Sequence, residues 1–196
     1  YLVESKEEAM GRIIKTDRFA VWKRVYQKEV LENKTFIPGK IHQDVFYTMD
    51  VLDLIGKIGV ISNKYYVYNV DNQSIIRSDY SLKKLDAKDA VYYVKKISSK
   101  YHERLRQLGN VYLINGLISH YISLNLYEKI DPDYKFRKQL KSEIKKQYLY
   151  LPKRKLLYKT RALIAIISPI RFYKFLLHLN NFRINLKLKL LTAFNV

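Results

Sequence analysis

Cysteine is absent from the 196 residues, so no disulfide framework holds the fold, an absence that suits a reducing compartment. Glycine and proline number only 6 and 4, and no Gly-rich phosphate loop is found among them. HExxH and Cys/His metal signatures are missing too, as is an Asp-x-Asp placed after a βαβ pattern. No run reaches the roughly 18 uninterrupted apolar residues of a spanning helix, and the N-terminus lacks a signal-peptide layout, so a soluble or peripheral chain is expected. Negative charge is scarce: 18 Asp and Glu face 37 Lys and Arg, a formal net charge of +19. That excess favours polyanionic partners or an anionic membrane surface without choosing between them.

What is present centres on residues 21–47, VWKRVYQKEVLENKTFIPGKIHQDVFY. An aromatic and basic start, Trp22-Lys23 then Tyr26, leads to Phe36-Ile37-Pro38-Gly39-Lys40, where proline and glycine force a bend. His42-Gln43-Asp44 follows, and Val45, Phe46, Met49, Leu52 and Ile55 then fall at helical spacing. Asp44 is therefore expected at or just before the first turn of a helix, where a carboxylate faces exposed N–H groups.

The order Trp22, Lys23, Tyr26, Phe36, Gly39, Gln43-Asp44, Tyr66-Val67-Tyr68 and Ser74-Ile75 resembles the C-terminal part of the catalytic domain of inverting family 2 glycosyltransferases. Those enzymes have a GT-A fold and use nucleotide-sugar donors. The likeness covers about residues 15–95 and departs from the family pattern twice. Lys23 lies one place nearer Trp22 than usual, and Gln43 replaces the Glu of a Glu-Asp pair. The resemblance implies that Asp44 is the catalytic base and that Trp22, Lys23, Tyr26, Gln43, Tyr47, Tyr66 and Ser74 bind substrate. It also implies that the nucleotide-binding half, with the ligands of a divalent Mg or Mn ion, lies outside this chain.

The fold expected is α/β but mainly helical. Residues 1–82 form the acceptor side of a GT-A-like domain with a short β-hairpin, residues 83–150 a helical bundle, and residues 151–196 a basic amphipathic tail. Ser5 and Glu8 have capping-box spacing at the start of a first helix. Ile58 to Ser62 and Tyr65 to Val70 read as two strands that pair. An amphipathic helix is expected from about Lys83 to Leu108, stopped by Gly109-Asn110, then a more apolar helix from Val111 to Tyr127. Asp131-Pro132 reads as an N-cap and first helical position of a third, reaching about Tyr150. From Leu151 onward there are ten basic residues up to Lys189 and no Asp or Glu. Leu163, Ile166, Ile167, Ile170, Tyr173 and Leu177 share one helical face there, interrupted by Pro169.

Each candidate carries two readings. Asp44 is a base taking a proton from an acceptor hydroxyl, or merely a helix cap. Trp22, Tyr26, Tyr47 and Tyr66 pack on sugar C–H faces, or form core. Lys23, Lys40, Arg77 and the Ser74 loop face a diphosphate, or are solvated. His42 alone assigns no metal, and Asp50 and Asp53 are expected on solvated helix faces. The function expected is sugar transfer from a nucleotide-sugar to a glycan or lipid-linked acceptor in bacterial cell-surface polysaccharide synthesis. It would take place in the cytoplasm, on the inner face of the membrane, with the tail of residues 152–179 on anionic lipid or packed as core. The alternative is a non-enzymatic basic helical module that binds nucleic acid or a membrane surface.

Overall fold

The computed structural model describes residues 1–32, 34–63, 65–67 and 79–167. It is mainly helical, with one two-stranded antiparallel sheet. Strand β1, Leu2–Ser5, leads directly into helix α1, Lys6–Thr16. The expected capping box is formed: the Ser5 hydroxyl accepts the Glu8 N–H at 3.3 Å, and the Ser5 N–H donates to the Glu8 carboxylate at 2.9 Å. Ala9, Met10, Ile13 and Ile14 then face inward.

Two short pieces follow, a 3₁₀ turn at Val21–Lys23 and helix α2, Lys28–Leu31. Helix α3, Gln43–Leu54, buries Val45, Phe46, Met49 and Leu52, the spacing expected of it. Strand β2, Lys57–Val60, comes next, but its partner is not the segment after it. It pairs with β1, Leu2 opposite Val60 and Ser5 opposite Lys57. The predicted hairpin is therefore corrected. Tyr65, Tyr66 and Val67 carry no strand and stand exposed, and residues 68–70 lie outside the described residues. Packing of α1 on α3 brings the chain back beside β1, and only tertiary placement could choose that partner.

The helical part comprises α4, Leu82–Leu85, α5, Lys88–Ser98, α6, Glu103–Leu126, α7, Lys135–Tyr148, and α8, Leu156–Ile167. Gly109 does not stop a helix, as its sequence context suggested. It lies inside α6, the 24-residue helix to which most others attach. A Cβ on Gly109 would lie 1.9 Å from Ser98 Oγ, and one on Gly116 would lie 2.7 Å from Val91 Cγ1. Both glycines let α6 approach α5 closely. The helix break falls earlier, at residues 99–102, where His102 caps α6 by accepting the Leu105 N–H at 3.3 Å.

Asp131 caps α7 from the turn before it rather than as the expected neighbour of the first helical residue. Its buried carboxylate accepts the N–H groups of Phe136 and Arg137 at 3.1 and 3.0 Å and the Arg137 Nε at 3.0 Å. Burial opposes its ionisation, but those three donors outweigh burial and hold it below the usual carboxylate range.

Two apolar clusters meet along α6. One joins Val111, Leu113, Ile114, Leu117, Ile118 and Leu124 to Leu140 and Ile144 of α7 and to Ala162 and Ala165 of α8. The other joins Leu105 to the inward faces of α1, α3 and α5. Among the described residues no helix is long and apolar enough to cross a membrane.

Replacing Gly109 with Ala tests the close α5–α6 contact. In an open helix that change stabilises by about 1 kcal/mol. Here overpacking against Ser98 should dominate and lower stability by about 1–3 kcal/mol in denaturant titration, with partial recovery when Ser98→Gly is added. A stabilised Gly109→Ala protein would show that the helices are further apart.

Candidate active site at the start of helix α3

The bend before α3 is built as expected. Gly39 has φ 75°, and the Lys40 N–H donates to the Ile37 carbonyl at 3.3 Å. His42 occupies the N-cap position with φ 58° and offers no side-chain hydrogen bond to the helix. Gln43 is the first helical residue and Asp44 the second. One Asp44 oxygen, Oδ1, accepts the N–H of the adjacent Val45 at 3.0 Å, an N–H that the His42 carbonyl also takes at 3.0 Å. The other oxygen has no partner among the described residues. Asp44 is thus in the first turn, with one carboxylate oxygen on a helix N–H, and is not the N-cap residue itself.

Two aromatic rings gather around Tyr47 on the same helix. Tyr47, one turn along α3 from Asp44, stacks on Phe36 with centroids 4.6 Å apart and planes 19° apart. It also meets Tyr26 edge-on at 6.2 Å. The Tyr26 hydroxyl is enclosed and finds no partner of good geometry among the described residues. A second pair is Trp22 with Tyr66, 4.7 Å apart, and the Lys23 ammonium lies 4.7 Å from the Trp22 ring. Trp22 and Tyr66 are exposed, whereas Tyr26 and Tyr47 are half-buried. Of the predicted substrate residues the structure therefore assembles Tyr26 with Tyr47, and Trp22 with Lys23 and Tyr66. Ser74, together with Tyr68, Ile75 and Arg77, lies outside the described residues.

The segment carrying Trp22 is tied to α3 by Arg24, which sequence reasoning had not selected. Its guanidinium donates to the carbonyls of Arg18, Phe19 and Ala20 at 2.6, 2.9 and 2.7 Å and to Thr48 Oγ1 at 3.2 Å. Thr48 in turn donates to the Phe19 carbonyl at 2.7 Å from a buried position. Phe36, which the resemblance places in the pattern but not among the substrate residues, stacks on Tyr47 and joins the aromatic wall. No spacing rule marks Arg24, because its partners are loop carbonyls.

Other expectations are corrected. Asp50 and Asp53 are not solvated but tie α3 to the following helices: Asp50 accepts the Tyr93 hydroxyl, while Asp53 accepts the Tyr101 hydroxyl at 2.6 Å and the Lys100 ammonium. Lys40 pairs with Asp89 at 2.5 Å instead of standing free for a diphosphate. Burial, with lesser contributions from His42 and Lys88, lowers His120 to about 4. That ring shares a 2.8 Å hydrogen bond with Tyr80.

The ligands of the divalent ion implied by the family resemblance are expected outside this chain. Among the described residues no three His, Asp or Glu side chains converge. Asp131-Pro132-Asp133 has Asp-x-Asp spacing, but Asp131 is committed to Arg137 in the interior. Comparison of this chain with family models, curated proteins and solved structures finds no match.

Proposed function

We propose that this chain is the acceptor side of an inverting glycosyltransferase, with Asp44 as its general base. The observation that carries this reading is a carboxylate in the first turn of α3, one oxygen unengaged among the described residues, one turn before Tyr47, whose ring meets those of Phe36 and Tyr26. The aromatic wall supplies apolar faces for a sugar. In the reaction the Asp44 oxygen takes the proton of an acceptor hydroxyl as that hydroxyl oxygen bonds to the anomeric carbon. The bond from that carbon to the nucleotide diphosphate breaks on the opposite face, inverting the centre. Trp22 and Tyr66 extend the acceptor surface, and Gln43 stands where the family has a carboxylate. Donor binding belongs to a part of the fold that the described elements do not include.

The tail adds a membrane reading. α8 turns its small residues Ala162 and Ala165 inward and leaves Leu156, Leu157, Leu163 and Ile167 exposed. Lys153, Arg154, Lys155 and Arg161 stand exposed around them. Large aliphatic side chains with basic neighbours suit an anionic bilayer, where each basic residue near the surface contributes about 1 kcal/mol. Such contact would place the active site beside a lipid-linked acceptor. The part of the tail from residue 168 onward lies outside the described residues.

Asp44→Asn separates base from cap. With the donor-binding half present, transfer should fall by at least about 100-fold, whereas stability should fall by no more than about 1 kcal/mol, the worth of one anion at a helix start. Turnover above about a tenth of the parent's removes the base assignment. For the tail, Leu156→Ser/Leu163→Ser/Ile167→Ser keeps the inward face and should abolish sedimentation with anionic liposomes at low salt. Unchanged sedimentation contradicts the membrane reading.

A further inference from the structure

The 3₁₀ turn Val21–Lys23 contributes no buried side chain. It is nevertheless closed by Arg24, whose guanidinium donates to the carbonyls of Arg18, Phe19 and Ala20 at 2.6, 2.9 and 2.7 Å and to Thr48 Oγ1 at 3.2 Å. All four acceptors are neutral, so the side chain supplies geometry rather than a charge pair. Phe19, upstream of the turn, is buried against Tyr112 and its carbonyl is also held by the Thr48 hydroxyl at 2.7 Å. What Arg24 adds therefore falls on the exposed turn that carries Trp22 and Lys23. Thr48 gives that turn its direction. It stands one turn after Asp44 on the same face of α3, because residues four apart are neighbours on a helix. Asp44 does not need the Arg24 bond for its own place: Phe46 and Met49 anchor α3 in the core, and Asp50 and Asp53 bond to Tyr93 and Tyr101. Arg24 also acts on Tyr26, whose phenol is raised by burial and drawn partly back by the guanidinium.

We propose, resting on the sugar-transfer reading, that Arg24 is a positioning residue of the acceptor site: through Thr48 it fixes the Trp22 turn against the Asp44 face of α3 and so sets acceptor affinity rather than the rate of proton removal. A wall displaced from α3 loses contacts that bound acceptor and transition state share, which raises KM. The base keeps its place on the helix, which preserves kcat. Lysine is no substitute here, since four acceptors on two segments need the planar fork of a guanidinium and an ammonium is a compact point charge.

Two measurements test it. Trp22 is the sole tryptophan of the 196-residue chain, so acrylamide quenching of its emission reads the turn with no substrate present. Arg24→Gln should raise the quenching constant at least twofold while circular dichroism shows the helices retained. With the donor-binding half present, transfer from UDP-glucose to octyl β-glucoside gives KM and kcat for the acceptor. Arg24→Gln should raise KM at least tenfold and leave kcat within threefold, and Arg24→Lys should not rescue it. Thr48→Val should raise KM at least threefold, whereas Thr48→Ser, which keeps the hydroxyl, should stay within twofold of the parent. Asp44→Asn should do the reverse, lowering kcat with quenching unchanged. If Arg24→Gln does not fold, Thr48→Val carries both measurements. Unchanged quenching, a kcat that falls as far as KM rises, or rescue by Arg24→Lys overturns the proposal. A parent that forms no product removes the sugar-transfer reading and the affinity role with it, while quenching still decides whether Arg24 holds the turn.

Discussion

Close contact between α5 and α6 at Gly109 and Gly116 is the constraint on which the rest of the structure depends. With no side chain at those positions, α6 lies against Ser98 and Val91 and exposes its remaining faces to everything else. One stretch of α6 carries the cluster shared with α7 and α8, and its N-terminal end joins the cluster of α1, α3 and α5. A wider α5–α6 spacing would open both clusters together, since protein interiors tolerate little void. The position of α3, and so of Asp44, follows from that packing.

A second set of contacts carries the position outward to the site. Phe46 and Met49 anchor α3 in the core, while Asp50 and Asp53 bond to Tyr93 and Tyr101 beyond its outer edge. Arg24 and Thr48 then hold the Phe19 carbonyl and fix the loop leading to Trp22. Burial, followed by the carboxylates of Asp50 and Asp53, raises the Tyr93 phenol, so it stays a donor over the physiological range. The candidate base therefore sits on a helix secured at several points, as a group needing a fixed geometry requires.

Much of this was legible where the signal is local. Ser5 and Glu8 meet as their spacing demands, α3 follows its apolar period, and Asp44 falls in its first turn. The sequence order of Tyr26, Phe36 and Tyr47 corresponds to rings that touch. What could not be read depends on distant partners. A four-residue strand such as Lys57–Val60 pairs equally well by pattern with any extended neighbour, and only the fold selects Leu2–Ser5. Gly109 resembles a helix stop because propensity is local, whereas its use is to admit Ser98 from another helix. Asp50 and Asp53 looked solvated because their tyrosine partners come more than 40 residues later.

The central claim, that the aromatic and carboxylate site at the start of α3 receives the acceptor, can be read from one chromophore. Trp22 is the sole tryptophan, and it lies against Tyr66 in the proposed acceptor surface. Its fluorescence should change saturably when the glycan acceptor used in transfer is added, and Tyr47→Ala should weaken that response. Unchanged Trp22 emission at acceptor concentrations that support transfer would contradict the account.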